Sequence, residues 1–107
     1  MLDYVERELD AIRDSIAQVS EVRSAYLFGS CAKGEIDADS DIDIYVVVAD
    51  SAIDTIAVGA QIRKALYKKR KIPLDLLVGR ESVFNSRKKQ ATLESIVAKE
   101  GVLLYGS

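Results

Sequence analysis

The sequence predicts an α/β (α+β) fold, with helices packed on a small mixed β-sheet. Three observations carry that prediction. Over residues 2–19 the apolar side chains Leu2, Val5, Leu9, Ile12, Ile16 and Val19 recur at three- and four-residue steps, the period of a helix with one buried face. Three apolar runs of strand length follow, over residues 22–28, 41–48 and 74–78. Helical patterns lie between and after them, giving the order αβ(α)βαβα with no repeat, low-complexity stretch or linker.

Each element has a local cause. In the first helix Glu6, Arg7, Asp10, Arg13 and Asp14 fall outside the apolar stripe, so the stripe faces a sheet. Val22 to Phe28 forms a strand that ends at Gly29-Ser30. Serine suits the N-cap of a short helical turn over 31–34, and a polar loop covers 35–39. In the strand over 41–48, Ile42, Ile44, Val46 and Val48 share one face; Asp41, Asp43 and Tyr45 share the other. Ser51-Ala52-Ile53-Asp54 resembles a capping box for a helix running to about residue 69. Its inward positions are expected to be Ile53, Ile56, Ala57, Ala60, Ile62 and Leu66. Its end carries Lys64, Lys68, Lys69, Arg70 and Lys71, cations that complement the negative end of a helix dipole. Pro73 marks the start of the strand over 74–78, where Leu74, Leu76 and Val78 share one face and Asp75 the other. Glu81 to Phe84 makes a helical turn. A last helix over 86–99 turns Leu93, Ile96 and Val97 inward and stops at Gly101. Val102 to Tyr105 is a short apolar tail that docks on the sheet.

Composition narrows the function classes. The chain has 107 residues, of which 49% are apolar and 30% charged, so residues 1–107 are expected to form one domain with a single core. No apolar run approaches the roughly 20 residues of a membrane span, and Met1-Leu2-Asp3 leads straight into an amphipathic segment, so neither a membrane anchor nor a signal peptide is expected. The lone cysteine, Cys31, fits a reducing cytoplasm. Histidine is absent, which excludes His general bases and His metal ligands. A net charge of −2 argues against strong nonspecific nucleic-acid binding.

The chemistry concentrates in Gly29-Ser30, Asp41-x-Asp43 and Asp75. Alternate positions on a strand hold Asp41 and Asp43 on one face about 7 Å apart. Asp75 joins that face if its strand is a neighbour. Magnesium takes hard oxygen ligands, one or two carboxylates together with waters and substrate phosphates. Three carboxylates so placed can serve two such ions and a triphosphate. Gly29-Ser30 before a helical turn suits phosphate oxygens, because free backbone N–H groups point at them. Other readings compete. Asp37, Asp39 and Asp41 alternate like the start of a calcium loop, but Ile42 and Val48 stand where that loop needs glycine and a carboxylate. Asp41 and Asp43 as merely solvated residues fit poorly with an aspartate set between Leu74 and Leu76 in a strand. Gly-Ser alone is an ordinary turn; its combination with the three aspartates is the signal.

Taken together, these residues resemble the signature of the DNA-polymerase-β-type nucleotidyltransferase superfamily. The text Leu-Phe-Gly-Ser-Cys-Ala-Lys-Gly-Glu at 27–35 and the ending at 96–105 are similar to its minimal nucleotidyltransferase (MNT) group. The resemblance implies a polymerase-β palm-like fold. It implies that Asp41, Asp43 and Asp75 are the catalytic, metal-binding carboxylates, that Asp75 acts on the attacking hydroxyl as base or through the metal, and that Gly29 and Ser30 contact phosphate. Lys33 falls where the group more often carries arginine, and a single ammonium cannot make a guanidinium's bidentate contact. It therefore stands as a nucleotide-binding candidate or as a solvated loop cation.

What the resemblance implies for function is magnesium-dependent transfer of a nucleoside monophosphate, AMP from ATP, to an acceptor. Larger relatives hold the acceptor in an extra domain for which this length leaves no room, so a partner protein or a second copy is expected to provide it. Members of the MNT group pair as antitoxins with HEPN-domain toxins, and transfer of AMP to that partner is the leading expectation. The alternatives are a non-catalytic binding module that neutralises its partner by complex formation, and transfer to a small molecule or an RNA end.

Overall fold

The computed structural model describes residues 3–35, 41–52, 54–67 and 72–106. Helix α1 (Asp3–Ala17) is followed by strand β1 (Val22–Phe28), the short helix α2 (Gly29–Ala32) and strand β2 (Ile42–Val48). Helix α3 (Thr55–Ala65) leads to strand β3 (Leu74–Arg80), then helices α4 (Glu81–Arg87) and α5 (Leu93–Glu100), and strand β4 (Val102–Gly106). The sheet has the order β3-β2-β1-β4. β1 pairs antiparallel with both β2 and β4, and β2 pairs parallel with β3. The sheet is therefore mixed, as the sequence predicts, and α3 is the crossover that a parallel pair requires.

Each face of the sheet has its own core. One is built from the α1 stripe (Val5, Leu9, Ile12, Ile16), the alternate residues Ile42, Ile44, Val46 and Val48 of β2, and Val58, Ile62 and Leu66 from α3 and its end. Burial of one such side chain contributes about 1.5–3 kcal/mol. The other face holds Tyr45, Val47, Phe84 and Val97, with Tyr26 and Phe28 packed against them. Phe84 of α4 stacks on Tyr26, with ring centroids 5.6 Å apart, and lies 5.3 Å from the Tyr45 ring.

Several boundaries differ from the sequence expectation. α1 ends at Ala17, with Gln18 and Val19 donating to Ser15 and Ile16 in a closing turn. The turn after β1 starts at Gly29, with Phe28 rather than Ser30 in the N-cap position. β2 starts at Ile42, so Asp41 precedes the strand. α3 is capped by Asp54, whose Oδ1 accepts the Ile56 N–H at 2.9 Å, and Ser51 is not its cap. Val58, Ile62 and Leu66, four residues apart, set the buried stripe with Gly59 beside it, so Ile56, Ala57 and Ala60 face outward. The expected last helix is interrupted between α4 and α5. Thr92 breaks it: its hydroxyl donates to the Arg87 carbonyl at 2.7 Å and accepts from the Ser95 N–H at 3.2 Å, capping α5. Val97 is fully buried, whereas Leu93 and Ile96 are exposed. The apolar tail is a true edge strand. Residue 53, the 36–40 part of the loop and the 68–71 part of the basic cluster lie outside the described residues. Among the described residues no helix is long and apolar enough to cross a membrane.

Candidate active site

The site assembles at one end of the three strands β1, β2 and β3. β1 delivers Phe28 to the position opposite Asp43, and the parallel ladder sets Asp43 against Asp75. The Ile42 N–H donates to the Pro73 carbonyl at 2.9 Å, which fixes that register at its first rung. Adjacent strands lie about 4.8 Å apart, so Asp43 and Asp75 are direct lateral neighbours. Parity along β2 sends Asp43 to the same face as Tyr45, away from the α1–α3 core.

Gly29 follows Phe28 at φ +73°, a backbone state that favours glycine. A Cβ at this position would run into the Asp43 carboxylate oxygen Oδ2. The absence of a side chain is therefore what lets the Asp43 carboxylate sit over the turn. The turn is closed by main-chain bonds: the Ser30 carbonyl accepts from the Lys33 and Glu35 N–H groups at 3.1 and 2.9 Å, and the Cys31 carbonyl accepts from Gly34 at 3.1 Å. Lys33 caps the end of α2 and is exposed.

The electrostatics are those of crowded anions. Asp43 is half-buried, and Asp41 and Asp75 are exposed. Loss of solvent holds the Asp43 carboxyl above its ordinary range, and the charges of Asp75 and then Asp41 push it further the same way. Among the described residues none of the three makes an ion pair. Cys31, buried behind the turn, has its thiol raised by burial and then by the charges of Asp43 and Glu6, so it behaves as a core residue, not a nucleophile. The solvent exposure of Asp75 differs from the sequence argument, which treated it as a carboxylate that would be buried. Its place at the sheet's outer strand supplies the water.

Among the described residues no three His, Cys, Asp or Glu side chains close into a ready-made metal cage. The donor chemistry nevertheless suits magnesium, which completes its shell with waters and phosphate oxygens around one or two carboxylates. Asp43, raised by loss of solvent and then by the charges of Asp75 and Asp41, is the kind of oxygen donor that a hard cation would relieve.

Sequence reasoning missed the polar network beside this site. The Tyr45 hydroxyl donates to Glu94 Oε2 at 3.0 Å, and Arg87 Nε donates to Glu94 Oε1 at 3.0 Å. The Tyr45 hydroxyl is lodged against Gly79 of β3 where any Cβ would stand. Burial pushes the Tyr45 phenol far up, reinforced by the hydrogen bond to Glu94. Burial also raises Glu94, but its own backbone N–H, Arg87 and Tyr45 outweigh that and leave it lowered. Residues 49 apart in sequence meet here, and no local pattern announces them.

The family model for polymerase beta nucleotidyltransferases matches residues 10–107. A search of curated proteins gave no match. Among solved structures, a toxin–antitoxin complex with AMP-PNP is 26% identical with a TM-score of 0.59, covering 99% of this chain and 75% of that one. A nucleotidyltransferase-like protein of Sulfolobus solfataricus is similar in fold, with 19% identity, a TM-score of 0.62, and 99% and 89% of the two chains covered. So is a chain from the tri-AMPylated Shewanella oneidensis HEPN toxin in complex with its MNT antitoxin, with 23% identity, a TM-score of 0.52, and 92% and 73% covered. With the family model spanning nearly the whole length and the Gly-Ser turn set against two in-register aspartates, the chain belongs to the polymerase beta nucleotidyltransferase family.

Proposed function

We propose that this protein transfers AMP from ATP, with magnesium, to a HEPN-domain protein and so acts as the antitoxin of a toxin–antitoxin pair. The observation that carries the proposal is the rung Phe28–Asp43–Asp75, with Gly29 vacated beneath the Asp43 carboxylate. It provides oxygen donors for a cation and a turn of main-chain N–H groups for phosphate within one small region. The likeness to a complex holding AMP-PNP supports the nucleotide, and the likeness to an AMPylated HEPN toxin complex supports the acceptor.

In this reading Asp41 and Asp43 hold the magnesium. When bound, the cation neutralises and orients the triphosphate. Gly29 and Ser30 present the turn to the phosphates, and Lys33 supplies a mobile positive charge at its rim. Asp75, exposed at the outer strand, accepts the acceptor hydroxyl's proton and aligns its oxygen for in-line attack on the α-phosphorus, where the bond to the β-phosphate breaks and pyrophosphate leaves. The rate derives from positioning and charge neutralisation. The work is to be done in the cytoplasm, where ATP and magnesium are supplied.

The test is intact-mass spectrometry of the adjacent gene's product, if it carries a HEPN domain, or otherwise of the HEPN toxin of the similar Shewanella oneidensis complex, after incubation with ATP, magnesium and this protein. The expected product carries one or more AMP adducts, and none forms without magnesium. An unmodified partner, with the two proteins nevertheless bound, would leave the chain as a binding module instead.

A further inference from the structure

Glu8 is the only charged side chain buried among the described residues, at 7% exposure. The charged neighbours Glu6, Arg7, Asp10, Arg13 and Asp14 on α1 keep contact with water. Glu8 lies one turn from Val5 and one from Ile12, in the part of α1 that packs on the sheet. Burying a carboxylate is costly unless it is hydrogen-bonded, and no step of the proposed transfer uses this one. Its Oε1 accepts the Ile72 N–H at 2.8 Å, across 64 positions of sequence.

Ile72 stands three residues before Asp75, and the link between them is stiff. Pro73 fixes its own φ and restricts Ile72 to extended backbone. The Pro73 carbonyl accepts the Ile42 N–H at 2.9 Å, and the ladder then pairs Ile42 with Leu74 and Asp43 with Asp75. The segment entering β3 is thus held twice, by β2 at Pro73 and by α1 at Ile72. β3 is an edge of the sheet, so among the described residues no second strand steadies it. Asp75 is exposed and makes no ion pair among the described residues, so its place depends on its backbone.

We propose that Glu8 is a positioning residue for the transfer reaction: by holding the Ile72 N–H it fixes the entry of β3 and keeps Asp75 on the rung of Asp43. The inference rests on the nucleotidyl-transfer reading, in which Asp75 takes the proton of the acceptor hydroxyl. Glu8 touches no reacting atom, because α1 packs on the sheet face opposite to Asp43. It acts through the backbone of residues 72–75. Without the anchor Asp75 shifts against the α-phosphorus, and a displacement of about 1 Å can cost about a hundredfold in rate. Nucleotide binding at Gly29-Ser30, carried by β1, is left alone.

Three variants test this. Glu8→Met keeps the bulk and removes the acceptor oxygen. Glu8→Gln keeps an oxygen at the same place. Pro73→Ala keeps the Glu8 bond and loosens the link, and it decides the matter if Glu8→Met does not fold. One readout is kcat and the KM for ATP in transfer to a HEPN-domain acceptor protein. The other is amide hydrogen exchange at Ile42, compared with Val46 farther along the same ladder. Glu8→Met should lower kcat by about tenfold to a hundredfold and leave the KM for ATP within about twofold. Its Ile42 amide should exchange at least about tenfold faster, with Val46 unchanged. Glu8→Gln should stay within about twofold of wild type in both readouts, and Pro73→Ala should lower kcat. Wild-type kcat in Glu8→Met would overturn the proposal, as would equal acceleration at Ile42 and Val46, which marks a loss of global stability. If wild type transfers nothing to the acceptor, the transfer reading fails, and exchange at Ile42 alone decides whether Glu8 holds the Asp75 rung.

Discussion

Asp43 on β2 and Asp75 on β3 are partners in a parallel ladder, facing the same side with no cation between them among the described residues. A folded protein gains nothing in stability from placing two carboxylates side by side. The proposed magnesium would relieve that repulsion when bound, which makes the site a place where stability and activity oppose each other.

Asp43→Asn should therefore abolish transfer while stabilising the metal-free protein. Discounted for solvent screening, removal of the repulsion is worth about 0.5 kcal/mol, or about 2–4 °C in Tm for a domain of this size. Magnesium should raise the Tm of wild type and leave that of Asp43→Asn unchanged. Thermal scans of both, with and without magnesium, check the pair of effects.

Gly29→Ala combines a positive φ with a methyl group driven into the Asp43 carboxylate. The backbone cost alone is about 1–2 kcal/mol. Urea unfolding should show a loss on the order of 2 kcal/mol, and transfer should fall with it because Asp43 is displaced. Gly34→Ala provides the contrast. It shares the positive φ but has open space around it, so it should show the stability loss without the loss of transfer.

The pH response has two limbs of opposite sign. Glu94 titrates below its ordinary value of 4.5 in the folded state, so its contribution is present above that value and is lost as pH falls through the folded pKa. Asp43 titrates above its ordinary 3.8, so its ionisation costs stability as pH rises through the folded pKa. Glu94→Gln should flatten the acid-side loss of stability, whereas Asp43→Asn should remove the cost seen on the neutral side. Asp75→Asn should lower the titration midpoint of Asp43 in the metal-free protein, because it removes one of the charges that add to the effect of desolvation. Denaturation midpoints and magnesium titrations across pH 3 to 7 separate these limbs.

Phe84→Ala tests the second core. Its ring contacts Tyr26 and Tyr45, and Lys88 Nζ lies 5.7 Å above it. Truncation should cost about 3–5 kcal/mol and loosen α4 over the Tyr45–Glu94–Arg87 network. Tyr45→Phe, which removes only the hydroxyl, should cost about 1 kcal/mol. Chemical denaturation of the two variants ranks the packing term against the polar one.

Much of this was legible in the sequence because the signals are local. The Leu2–Val19 stripe, the alternation of β2 and the placement of an aspartate at the same parity in β3 need only periodicity, and they anticipate the mixed sheet and its acidic end. What was not legible depends on events between distant residues. Asp54 rather than Ser51 caps α3, and the buried stripe follows the four-residue steps Val58, Ile62 and Leu66, which leaves Ile56 at the surface. Thr92 binds both Arg87 and Ser95 and splits a helix that its apolar spacing alone would have continued. Glu94 looks like a solvated first-turn acid until Tyr45, Arg87 and Gly79 are brought to it by the fold. The exposure of Asp75 follows from strand order, which places β3 at the edge, and no residue within β3 encodes that order.

The most direct test of the proposed transfer is the rate of label transfer from α-phosphate-labelled ATP to a HEPN-domain acceptor protein, measured across a magnesium titration for wild type and Asp43→Asn. Wild type should show saturable, magnesium-dependent transfer, and the variant a loss of at least about a thousandfold. Transfer by Asp43→Asn at the wild-type rate and magnesium dependence would contradict it.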